Sequence, residues 1–84
     1  MISMKKFYDF ILKTCWIEKI NWCQTFEYAR KQSKNDWGGI LKVNSEWFWF
    51  YGKDLSILID KNAVENKGEY YELTKEIGNE LKED

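Results

Sequence analysis

Five consecutive aromatic residues, Trp47-Phe48-Trp49-Phe50-Tyr51, carry most of the recognition chemistry this chain has to offer. Successive side chains of a strand point to opposite faces, so the run hands Trp47, Trp49 and Tyr51 to one face and Phe48 and Phe50 to the other. Phenylalanine has no polar atom and suits a core. Indole and phenol rings bury much area with few torsions to freeze, which enriches them at protein contacts. The remaining reactive groups are few: the thiols of Cys15 and Cys23 and acids such as Glu46, Asp54 and Asp60 beside the extended segments.

The chain has no histidine, which removes the usual near-neutral general base, the commonest metal ligand and every nucleophile built on imidazole. Two cysteines outside any CxxC pair do not make an ordinary zinc site. On one continuous helix they would lie ~12 Å apart along the axis, beyond disulfide reach. No cluster of positive charge activates either thiol, so both read as small buried hydrophobes. Gly38-Gly39 and Gly52-Lys53 are turn glycines, because neither is followed by the residues of a phosphate loop. Two of the acids could in principle flank a scissile bond, but acids at strand ends are usually solvated. The expectation is a protein that is not an enzyme and uses no cofactor and no metal.

Net charge is −1, with Arg30 as the only arginine. Duplex nucleic acid is therefore disfavoured as a partner, since phosphate binding relies on clustered Lys and Arg. The N-terminal half is mildly basic and the tail from Glu65 acidic, which predicts a charge asymmetry. At 84 residues, 44% apolar and 18% aromatic, residues 1–84 fit one small globular domain with no need of a disulfide or metal. No apolar stretch approaches the ~20 residues of a membrane span. Met1-Ile2-Ser3-Met4-Lys5-Lys6 is unlike a secretory signal, so a cytoplasmic location and no membrane partner are expected.

These side chains need elements to position them. Met4, Phe7, Tyr8, Ile11, Leu12 and Cys15 recur every three or four residues behind Ser3, a helix with its N-cap. Asn21 and Gln24 form a capping-box pattern ahead of Trp22, Phe26 and Ala29, predicting a second helix over 22–33, with Trp16 and Trp22 read as core. Residues 14–20 suit helix or extended chain, and one unbroken helix is the competing reading. Strand periodicity covers 40–43, 47–51 and 55–59. Two-residue turns at Asn44-Ser45 and Gly52-Lys53 set Leu41 and Ile57 opposite Phe48, and Leu55 opposite Phe50. One face then gathers Leu41, Val43, Phe48, Phe50, Leu55, Ile57 and Ile59. The other gathers Ile40, Lys42, Trp47, Trp49, Tyr51, Ser56, Leu58 and Asp60. Residues 61–67 read as polar connecting chain. Tyr70, Leu73, Ile77 and Leu81 predict a closing amphipathic helix.

The predicted fold is α+β: two N-terminal helices, a three-stranded antiparallel β-meander and a C-terminal amphipathic helix. In format it resembles small phage or mobile-element inhibitors, antitoxins and immunity proteins, an analogy of size and architecture. The expected function is non-catalytic binding to a protein target, as a regulator or inhibitor. The predicted contact surface is Trp47, Trp49 and Tyr51, with Lys42 and Trp37 at the rim. Helices on both faces would make all five rings core instead. A module stacking single-stranded nucleic acid and a self-associating homodimer are the alternatives.

Overall fold

The computed structural model describes residues 1–17 and 22–83. Its elements run α1 (Met4–Thr14), β1 (Trp22–Cys23), α2 (Phe26–Asn35), β2 (Gly38–Val43), β3 (Glu46–Tyr51), α3 (Gly52–Asp60), β4 (Val64–Asn66), β5 (Tyr71–Leu73) and α4 (Lys75–Glu80). The strands form one mixed sheet in the order β1-β3-β2-β5-β4, antiparallel at every join except the parallel pairing of β2 with β5.

The hairpin of β2 and β3 turns through Asn44-Ser45, with Asn44 at φ 57°, a left-handed conformation that asparagine tolerates. Leu41 stands opposite Phe48, the register predicted from the sequence. The Asn44 side chain also fastens the chain terminus: Oδ1 accepts from the Ile2 amide at 3.1 Å and Nδ2 donates to the Ile2 carbonyl at 3.0 Å. The Ser3 amide donates to the Leu81 carbonyl at 2.7 Å.

Both faces of the sheet are covered. On one, Leu41, Val43, Phe48 and Phe50 meet Phe7 and Ile11 of α1, Leu55 and Leu58 of α3, and Leu81 beyond α4. On the other, Cys23, Ile40 and Trp49 pack with Ala29 of α2, while Phe26, Trp47 and Tyr70 are partly buried around them. The reason is length: α2 has only ten residues, and a short polar helix with one buried residue covers part of a sheet.

α1 forms as its apolar spacing predicts, with the Ser3 hydroxyl accepting from the Lys6 amide at 3.3 Å. It ends before Cys15, which is extended (φ −104°, ψ 158°), so one unbroken helix through the segment is not formed. Residues 18–20 of that ambiguous stretch, and the expected cap Asn21, lie outside the described residues.

Four expectations are corrected. The second helix starts at Phe26, capped by Thr25, whose hydroxyl accepts from the Tyr28 amide at 3.2 Å, because Trp22 and Cys23 pair with the edge of β3 instead. Residues 55–59, read as a third strand after a Gly52-Lys53 turn, belong to α3. Leu55 and Leu58, three apart, go into the core together, whereas Ile59, which the strand register would bury, is 42% exposed. The closing helix shortens to α4 behind its Thr74 cap, and residues 71–73 become β5. The Asn66 side chain takes the Gly68 amide at 2.7 Å, and Gly68 at φ 102° makes the turn that folds β4 onto β5. Residues 64–66, read as connecting chain, are thus a strand. Among the described residues no helix is long and apolar enough to cross a membrane.

Candidate functional site

The five residues predicted as one contact surface separate into three environments. Trp49 is 3% exposed, sealed between the sheet and α2, so the expectation of an outward-facing indole there is corrected. Its Nε1 is buried with no hydrogen-bond partner. Trp47 and Lys42 are half-buried and engaged with their neighbours. The Trp47 ring lies 4.7 Å from Phe26 and 5.3 Å from Tyr70 by centroids, and Lys42 Nζ sits 5.5 Å and 5.9 Å from the centres of Trp47 and Tyr70. Such cation–π contacts contribute about 0.5 to 1 kcal/mol where water still reaches the ammonium.

Tyr51 and Trp37 come together at the start of α3. Trp37 is 76% exposed and Tyr51 48%. The Gly52 amide donates to the Trp37 carbonyl at 2.8 Å, and the indole lies against Gly52 itself. A Cβ on Gly52 would fall 1.8 Å from the ring, so only glycine permits this approach with the ring where it is. An open, largely apolar cleft of about 520 Å³ results, lined by Asp36, Trp37, Tyr51, Gly52 and Lys53. Its wall is braced from behind, since the Tyr51 ring meets buried Trp49 edge-on at 4.1 Å between centroids.

Trp16 adds a third exposed ring tied to the same helix turn. Its amide donates to Asp54 Oδ1 at 3.1 Å, and its side chain is 79% exposed, which corrects its reading as core. Asp54 is 2% exposed and lies in the first turn of α3, where the helix dipole favours a carboxylate. Its role is to hold chain together. Glu46 is half-buried and Asp60 exposed.

Neither thiol is poised to react. Cys15 Sγ donates to the Asp54 carbonyl at 3.8 Å, and burial, then the Asp54 charge, push its pKa from 9.0 to about 11. Burial raises Cys23 as well, opposed in part by a hydrogen bond from the Trp49 backbone. At neutral pH both are thiols rather than thiolates. Among the described residues no three Cys, Asp or Glu side chains converge as metal ligands.

Sequence reasoning placed Trp37 and Tyr51 at the surface but missed Gly52, Lys53 and Trp16. A small residue directly after the aromatic run was the available signal for Gly52, since a ring needs a neighbour without a side chain to lie flat on backbone. Comparison with protein-family models, with curated proteins and with solved structures finds no match.

Proposed function

We propose that this chain is a non-catalytic protein-binding domain, a regulator or inhibitor that acts by occupying its target. Its contact centre is the Trp37–Tyr51 cleft. The observation that supports this reading most is Trp37, a 76% exposed indole that lies against the Gly52 backbone. A large ring with few torsions loses little conformational freedom on binding, which is why Trp and Tyr dominate contact hot spots. Lys53 and Asp36 give the cleft one cation and one anion at its edge, suited to a polar rim.

Trp49 has no part in such a surface, and Lys42 is committed to Trp47 and Tyr70. Contact would therefore run through Trp37 and Tyr51, with Trp47 at most a border. The test is capture of a binding partner from the source cell by wild-type protein, Trp37→Ala and Gly52→Ala. Both variants should lose the partner while unfolding as cooperatively as wild type. Undiminished capture by both would show that the cleft is not the contact. Retention of nucleic acid, or of a second copy of the chain, in place of a different protein would favour the corresponding alternative.

A further inference from the structure

The outer side of α2 departs from the charge of the chain as a whole. Net charge is −1, yet Arg30, Lys31 and Lys34 share a hollow of about 220 Å³ with a single acid, Glu27. None of the three cations lies within ion-pair distance of a described carboxylate. Arg30 and Lys34 stand four residues apart and so on one side of the helix. The last turn of α2 then leads through Asn35 straight into Asp36 and Trp37, which line the aromatic cleft, with Lys53 also on its lining.

We propose that this strip takes an acidic segment of a partner protein, which seats an apolar side chain between Trp37 and Tyr51 and sets carboxylates on Arg30, Lys31 and Lys34. The proposal rests on the protein-binding reading above and gives the partner its chemistry. Cations without a carboxylate partner attract carboxylates, and the guanidinium of Arg30 can take one bidentately. A nucleic-acid strand is the poorer fit: it carries a charge at every phosphate, and Glu27 and Asp36 lie within the strip to repel it. A protein segment can set an amide, a hydroxyl or a lysine opposite those two acids. Cations at the edge of a contact act chiefly on encounter rate and salt dependence, so binding should weaken as salt rises.

The test titrates the isotopically labelled 84-residue chain with three short synthetic peptides and is followed by nuclear magnetic resonance. Each peptide carries a central Phe-Leu pair, flanked by glutamates, by glutamines or by lysines. A short oligothymidylate serves as the fourth probe. The glutamate peptide should shift the Trp37 indole signal and the amides of residues 30–34. It should bind roughly tenfold more weakly to the Arg30→Glu, Lys34→Glu double variant, which changes exposed positions only and should fold as wild type. Equal binding of the glutamate and glutamine peptides, with the double variant unaffected, would overturn the acidic-partner inference while leaving the cleft as a protein contact. Tighter binding of oligothymidylate than of the glutamate peptide would overturn it in favour of nucleic acid. If no peptide moves the Trp37 signal, the inference and the protein-binding reading fail together.

Discussion

The two faces of the sheet solve the same burial problem with different materials. Leu41, Val43, Phe48 and Phe50 face elements from α1, α3 and the C-terminal end, and that side is closed mainly by aliphatic side chains and phenylalanine, with the Cys15 thiol and the rings of Tyr8 and Tyr71 around them. The opposite face has one short helix to cover it, and closes over Trp49 while leaving Trp47 half-buried and Tyr51 48% exposed. A face built from rings with polar tips is harder to seal. Trp49 pays with an unpartnered Nε1, and the rings further along stay in reach of water. The first face holds the fold, and the incompletely covered face leads to the surface that is open for recognition.

The largest effect should come from the sealed side. Phe50→Ala should cost about 3 to 5 kcal/mol in urea unfolding, the range for truncating a buried phenylalanine. On the other side, Trp49→Phe should cost only about 1 kcal/mol, because lost contact area is partly offset by removing a buried N–H that bonds to nothing. A loss as large as that of Phe50→Ala would mean that the indole N–H is satisfied after all. Trp49→Ala, by contrast, opens a cavity and so reports on stability rather than on partner contact.

A smaller effect is set by pH. Folding keeps the Cys15 thiol protonated to about 11, whereas the unfolded chain ionises near 9.0. The associated stability is whole below pH 9.0 and is lost as pH rises through 11, since the unfolded state gives up its proton first. Cys15→Ala should flatten the fall in stability over this window relative to wild type. Identical slopes would contradict the raised pKa. Trp37→Ala should change stability least, by about 0.5 kcal/mol or less, as exposed substitutions do. Its consequence should appear in binding alone.

What the sequence disclosed follows how local each determinant is. The α1 stripe and the Asn44-Ser45 hairpin are decided by neighbours in the chain, and both formed with the predicted capping and register. Residues 55–59 satisfy two periods at once, since Leu55, Ile57 and Ile59 alternate while Leu55 and Leu58 fall on one helix face. The choice is made by packing: Asp54 anchors the helix start through Trp16, and the crossover to β4 needs a helix there. β5 was hidden because its pairing with β2 is parallel and thirty residues away, with no local signature, and because its local partner β4 and β5 itself are only three residues each, too short to show a period. The candidate site was legible in the same measure. Trp37 and Tyr51 were named from residue type and position, but the burial of Trp49 depends on which face α2 takes, and Phe26 and Ala29 do not reveal that.

The separation of buried Trp49 from exposed Trp37 is measured most directly by hydrogen exchange of the assigned indole N–H groups in solution. Trp49 should exchange slowly, only when the helix over it opens, and Trp37 should exchange at close to the rate of a free indole. An indole of Trp49 that exchanges as fast as that of Trp37 would place it in water and contradict the arrangement described above.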